Sequence, residues 1–226
     1  MRLNKYISET GVCSRREADK WIEAGRVTWN GEPAVLGTQV ADGDEVRVDG
    51  ELIGRKTKQV YLALNKPVGI ICTTEAHIED NIIDHVGFPE RIFPVGRLDR
   101  DSEGLILLTN DGDIVNEILR SENNHEKEYV VTVDRPITDL SLKMMAAGVK
   151  IMGEVTKRSK VTRVSAETFR IVLTQGLNRQ IRRMCSALGY KARRLQRVRI
   201  MNIQLGNLKP GQWRHLTQAE IAGLIE

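Results

Sequence analysis

Three carboxylates, Asp99, Asp101 and Glu103, are interleaved with Arg97 and Arg100 in the stretch Gly96-Arg97-Leu98-Asp99-Arg100-Asp101-Ser102-Glu103-Gly104-Leu105. An apolar run, Leu105 to Leu108, follows at once and is too short for a helix, so it reads as a buried strand. Acids at the mouth of a buried strand sit where water is partly excluded. An arginine beside one of them keeps it ionised. An ionised, positioned carboxylate is a nucleophile. The residues alone leave open which acid serves.

Elsewhere the candidates thin out. His77, His85, His125 and His215 have no ligand spacing, and Cys13, Cys72 and Cys185 are odd in number and far apart. No metal site and no disulfide framework is expected, and reduced thiols point to the cytoplasm. No run of 18 apolar residues suggests a membrane span. The acidic stretch imitates part of a calcium loop, but its twelfth position would be Asn110 and its flanks read as strand.

Charge is unevenly spread. Residues 168–226 hold 11 Lys/Arg and 2 Asp/Glu, with no acid from Thr168 to Ala219, whereas the preceding parts are acidic on balance. Such a segment attracts polyanions, above all nucleic acid. Within it, Gln175-Gly176-Leu177-Asn178-Arg179-Gln180-Ile181-Arg182-Arg183-Met184 reads as a glycine turn leading into a helix. Arg179 and Arg183 would share a face at i,i+4, with Arg182 beside them. Arginine suits bidentate pairing with carboxylate or phosphate.

The elements that must position these groups form an α+β pattern with a mainly antiparallel mixed sheet flanked by helices. Strands are expected at Val60–Leu64, Ile70–Thr73, Leu105–Thr109, Glu128–Val133, Val161–Val164, Phe169–Thr174 and Lys191–Ile200. Helices are expected after Asn110, after Thr138, around Arg179–Leu188 and after Thr217, where Thr217 and Glu220 make a capping box. Residues 1–52 look like a separate small α/β module. There Ser14 and Glu17 open a helix, Gly25 ends it, Asn30-Gly31 makes a turn, and Val46 and Val48 share a strand face. Glu51 to Gln59 reads as a linker, which sets boundaries at 1–52, 53–59 and 60–226.

The first module resembles the S4 RNA-binding domain through Arg2-Leu3-Asn4-Lys5-Tyr6-Ile7, Ser14-Arg15-Arg16-Glu17-Ala18, Ile22, Gly25-Arg26-Val27, Asn30-Gly31 and Gly43-Asp44. That implies structured-RNA binding, with Arg2, Lys5, Arg15, Arg16 and Lys20 as contacts. The remainder resembles the RsuA/RluB/RluE/RluF family of ribosomal RNA pseudouridine synthases, nearest the large-subunit RluF branch. It does so through Leu64-Asn65-Lys66-Pro67-Val68-Gly69, Gly96-Arg97-Leu98-Asp99 with Ser102-Glu103-Gly104-Leu105, Lys127-Glu128-Tyr129 and Asn178-Arg179-Gln180-Ile181-Arg182-Arg183-Met184.

The resemblance makes Asp99 the aspartate that attacks the uridine. It makes Tyr129 the base-packing tyrosine and Arg182 the arginine that pairs with Asp99. Asn65-Lys66-Pro67 becomes a buttress of the active-site loop. RNA contacts would come from Arg97, Leu98, Arg100, Asn178, Arg179, Gln180, Ile181 and Arg183. The implied reaction isomerises a uridine in ribosomal RNA, expected in 23S, and a transfer RNA substrate stays open. Isomerisation changes neither oxidation state nor atom count, so no cofactor is required. Nothing asks for an obligate dimer, and a monomer is expected. Two rival readings are a non-catalytic RNA binder and a metal-dependent nuclease built on the same acids.

Overall fold

The computed structural model describes residues 1–54, 58–119 and 124–225. They fall into two compact units: Met1–Val60 with Pro89–Ile92 and Asn110–Gly112, and Tyr61–Phe88, Phe93–Thr109 and Asp113–Glu226.

The first unit holds α1 (Leu3–Glu9), α2 (Arg15–Glu23), β1 (Val27–Trp29), β2 (Glu32–Pro33), β3 (Val46–Val48) and β4 (Glu51–Ile53). Ser14 accepts a hydrogen bond from Glu17 N at 3.1 Å, so the expected cap opens α2. Leu3 and Ile7 of α1, one turn apart, meet Ala18 and Ile22 of α2, also one turn apart, over Val27, Val46 and Val48. The strands run antiparallel in the order β2-β1-β3-β4. Reading Glu51–Gln59 as linker overruns β4. Asp49 and Gly50 both have positive φ (52° and 84°), which closes a tight hairpin and pairs Glu51 with Val48. The middle of the expected linker, residues 55–57, lies outside the described residues.

The second unit follows with β5 (Tyr61–Lys66), α3 (Ile82–Val86), β6 (Phe93–Val95), β7 (Glu103–Thr109), α4 (Gly112–Leu119), β8 (Lys127–Val133), α5 (Asp139–Ala147), β9 (Lys150–Ile151) and β10 (Glu154–Val155). Then come β11 (Lys160–Arg163), β12 (Thr168–Leu173), α6 (Gln180–Ala187), β13 (Ala192–Ile200), β14 (Ile203–Gln204), β15 (Trp213–His215) and α7 (Gln218–Ile225). Nine of these strands make one sheet, ordered β11-β12-β8-β13-β7-β5-β15, with β14 on β13 and β6 on β7. Every pair is antiparallel except β13 with β7. The mixed, mainly antiparallel sheet expected from the sequence is the sheet that forms.

Leu105 to Leu108 of β7 are no more than 2% exposed, so the apolar run is covered on both faces. One core packs Val131, Phe169, Ile171, Met145 and Met184 together; a second packs Leu105, Leu107, Ile114, Ile118, Ile203 and Leu224. The expected strand at Ile70–Thr73 does not form: Ile71 makes one isolated bridge, to Asn81. What sequence reading missed there is α3. Asn81 Oδ1 accepts from Ile83 N and Asp84 N at 3.0 and 2.9 Å, and five residues are too few to show a period.

The cap of α7 is complete. Glu220 N donates to Thr217 Oγ1 at 3.2 Å and Thr217 N to Glu220 Oε2 at 2.9 Å, while Arg214 grips the same carboxylate at 2.8 and 2.7 Å. The Arg214 hydrogen bonds, more than the cap, hold the Glu220 carboxyl down to about 2 from 4.5. Its folded value is depressed, so its stabilisation is complete above about 4.5 and fades as pH falls toward 2. Glu220→Gln is expected to cost about 1–2 kcal/mol at pH 7 and clearly less at pH 3, read from urea midpoints. A loss equal at both pH values would contradict this.

Candidate active site

Gly96 to Ser102 form the turn between β6 and β7. Ser102 N donates to Asp99 O at 3.0 Å, which closes the turn under the Asp99 side chain. A second loop props it from outside. Gly69 N donates to Arg100 O at 2.8 Å, and Arg100 Nε returns a hydrogen bond to Gly69 O at 3.0 Å. Lys66 organises that second loop from within. Its ammonium, wholly buried, donates to Pro67 O and Ile70 O at 2.9 and 2.8 Å, and burial pulls its pKa down. Asn65 Nδ2 ties the same strand end to Leu208 O at 2.7 Å.

Across from the turn stands the glycine-led arginine segment. The helix starts one residue later than expected. Arg179 is the N-cap of α6, in the left-handed region at φ 50°. The expected i,i+4 face with Arg183 therefore does not form. Arg179 reaches the acidic turn instead, 3.1 and 2.8 Å from the two oxygens of Asp101 and 3.5 Å from Asp99 Oδ2.

Arg182 is set differently from expectation too. It does not pair with Asp99. Its Nη2 donates to Asp101 O at 2.7 Å and Ser102 Oγ at 3.1 Å, and its Nη1 to Ala192 O at 3.0 Å. Its Nε lies 3.4 Å from Asp101 Oδ2 but makes no hydrogen bond there, so the contact is coulombic. The reason is position: one residue of left-handed backbone puts Arg179 over Asp99, while Arg182 inside the helix meets the backbone of the turn. The Arg179 hydrogen bonds, aided by the Arg182 charge, hold Asp101 below the usual carboxylate range. Glu103 pairs with Arg194 at 2.6 Å. Of the three acids, Asp101 and Glu103 are thus fastened in the scaffold, and Asp99 is the one that lines a cavity.

That cavity has a volume of about 410 Å³, within the range of small-molecule sites. One wall is Val95 to Asp99 with Ser102; another is Thr174 to Arg182. Lys127 and Tyr129 of β8, with Leu195, Arg197 and Ile200 of β13, line it from the sheet, and Ile118 and Leu119 of α4 line a further part. Tyr129 is half-buried and directly opposite Arg197 in the sheet. An aromatic ring and a carboxylate lining one cavity suit a planar base presented with its sugar.

The other expected RNA contacts divide. Arg97, Arg100, Asn178, Arg179 and Arg183 are exposed, although Arg183 spends its guanidinium on Asn178. Leu98, Gln180 and Ile181 are buried, at 7%, 4% and 5% exposure. They reach only the cavity, not an open RNA-facing surface, because Gln180 caps Leu177 N and Ile181 packs in the core. In the first unit Arg2, Arg15, Arg16 and Lys20 are exposed and Lys5 sits 3.5 Å from Glu9. The basic C-terminal segment is less naked than its composition suggests. Arg170, Arg179, Arg182, Arg194, Arg199 and Arg214 all meet carboxylates within 4 Å. Sequence reading missed the buried Ser102, which receives Arg182, and the buried Arg197. The signal for Arg197 was alternation, since it shares a strand face with buried Leu195.

Known proteins share this sequence and fold. The sequence model of the RNA pseudouridylate synthase family matches residues 60–187, and that of the S4 domain matches residues 1–46. The chain is 56% identical over 228 residues to the dual-specificity RNA pseudouridine synthase RluF of Escherichia coli (strain K12), covering all of this chain and 79% of that one. It is 32% identical over 232 residues to the ribosomal large subunit pseudouridine synthase B of Bacillus subtilis (strain 168), covering 99% and 95%. A crystal structure of a pseudouridylate synthase superposes with a TM-score of 0.73 at 33% identity, over 99% of both chains. The cavity lined by Asp99 and Tyr129 and the sheet of this order belong to a chain that also matches the S4 domain and is a member of the RNA pseudouridylate synthase family.

Proposed function

We propose that this enzyme converts a uridine of ribosomal RNA, in the 23S molecule, to pseudouridine, with Asp99 as nucleophile and Tyr129 as the platform for the flipped base. The observation that carries the reading is the cavity itself: Asp99 and Tyr129 line the same 410 Å³ space, and the neighbouring acids are tied up by arginines. The large-subunit target rests on the Bacillus relative, which is named for it. Arg179, 3.5 Å from Asp99 Oδ2, orients that carboxylate, and Arg182 holds the turn through Asp101 and Ser102. Residues 60–226 serve as the catalytic domain, residues 1–52 as an RNA-binding domain and 53–59 as their connection. We propose that a single copy carries out the chemistry, the residues named for it all coming from one chain.

Extruding a stacked base costs a few kcal/mol. Stacking on an aromatic ring returns about 1–3 kcal/mol. Phosphate contacts from Arg97 and Asn178-Arg179 at the cavity, from the exposed Arg100, and from Arg2, Lys5, Arg15, Arg16 and Lys20, supply the rest and should make binding fall steeply with salt.

The test is incubation with unmodified ribosomal RNA followed by carbodiimide mapping of pseudouridine. One or a few stops in the large-subunit RNA are expected. Stops only in the small-subunit RNA, or none, would refute the proposal. The relatives' dual-specificity name makes a second RNA the thing to look for, and transfer RNA belongs in the same assay.

A further inference from the structure

Two cations in the cavity have no part in the carboxylate chemistry. Lys127 opens β8, and Arg197 lies in β13 directly opposite Tyr129. Lys127 is two residues from Tyr129, hence on the same strand face. Both cations line the cavity.

Neither has an anion beside it among the described residues. Arg197 is 3% exposed; its Nε donates to Leu105 O at 2.7 Å, but its Nη2 is closed off and has no acceptor among the described residues. A guanidinium offers five donors, and leaving one buried without a partner is unfavourable unless something supplies the acceptor. Lys127 reaches only His125 O, at 3.4 Å, and no carboxylate lies within 4 Å of it among the described residues. The acids beside it in sequence are engaged elsewhere: Glu126 with Arg199, and Glu128 with Arg199 and Arg170. The charged groups that share the cavity with it are Asp99, Arg97, Arg179, Arg182 and Arg197, and Arg179 occupies Asp99.

Two unmatched cations beside an aromatic ring call for a flat ligand with acceptor oxygens that gains negative charge. Resting on the reaction proposed above, the geometry points to Lys127 and Arg197 as the groups that hold the uracil ring by its carbonyl oxygens while its bond to ribose is open. An Asp99 oxygen bonds to ribose C1′ while the N1–C1′ electron pair leaves with N1. The detached uracil is then an anion, its charge spread over N1 and the two carbonyl oxygens, where the two cations receive it. After the ring turns, C5 displaces the carboxylate from C1′. C5 then loses its proton and N1 gains one, so the product has the atoms and charge of the substrate.

Burial, and after it the Arg197 charge, pushes Lys127 down to about 8, so this cation is lost as pH rises through the mildly alkaline range. Single-turnover release of tritium from C5 of uridine in a ribosomal RNA transcript, from pH 7 to 9.5, reads the effect. Wild-type rate should fall above about pH 8. Lys127→Met should be slower by about 100-fold at pH 7, in line with loss of one preorganised donor to a developing anion, and lack that fall. Lys127→Arg should recover to within about threefold of wild type and stay flat to pH 9.5, because arginine keeps its charge there. Arg197→Lys should lose more than about tenfold in rate with RNA affinity by filter binding unchanged. A wild-type rate in Lys127→Met, or a persisting alkaline fall in Lys127→Arg, overturns the inference alone. A wild type that releases no tritium overturns the proposed reaction and this inference with it.

Discussion

Asp99→Asn is expected to bind ribosomal RNA as tightly as the wild type and to form no detectable pseudouridine. Asparagine has the same shape, but its amide has no free anionic oxygen to give to a ribose carbon. The rate should fall by at least about 10⁴-fold, the scale at which removing a nucleophile leaves only binding and orientation. The fold should survive. The turn is closed by the main chain, with Ser102 N on Asp99 O, and Arg179 keeps both oxygens of Asp101. The Asp99 side chain is 32% exposed and its ion pair with Arg179 is 3.5 Å long, so losing that pair costs no more than about 1 kcal/mol. Tritium release and filter binding on one transcript check both halves. Residual turnover within tenfold of wild type would remove Asp99 from the nucleophile's role.

Gly104→Ala should fail to give a stable enzyme. Gly104, the second residue of β7, lies between Lys66 of β5 and Arg197 of β13, with φ at 104°, where an L side chain is strained by about 1–3 kcal/mol. An added Cβ would also lie 2.3 Å from Arg197 O and 2.7 Å from Arg197 N. Those atoms are main chain in a strand held between β7 and β8, so they cannot swing aside. The combined cost should exceed about 4 kcal/mol, against a total stability of about 5–15 kcal/mol. Soluble yield and the urea midpoint report it. A midpoint within a few tenths of molar of wild type would show that the sheet can open there.

The same glycine shows how much of the site was legible in the sequence. Gly96 and Gly104 frame the acids, and the Leu105–Leu108 run declares a strand, so the location of the chemistry could be read from residue types. Caps were legible as well, because Ser14-Glu17 and Thr217-Glu220 act over three residues. What could not be read depends on distant backbone. Which arginine meets Asp99 is decided by the left-handed conformation of Arg179, and nothing in Asn178-Arg179-Gln180 announces it. The acid-free segment after Thr168 looked like an open basic face. Apart from Arg214, its paired arginines find carboxylates 42 to 91 positions away, such as Glu128 for Arg170 and Glu103 for Arg194, and a local count is blind to such pairs. β4 was hidden by its shortness, since three residues show no period and both Glu51 and Leu52 are exposed on a strand at the sheet edge.

The most direct measurement is a crystal structure of Asp99→Asn with its RNA, the substitution holding the complex before chemistry. The uridine to be modified should be flipped into the cavity, its ring on Tyr129 and its C1′ roughly 3–3.5 Å from the side chain at position 99, as a near-attack arrangement requires. A uridine seated outside that cavity, or a C1′ beyond the reach of position 99, would contradict nucleophilic attack by Asp99.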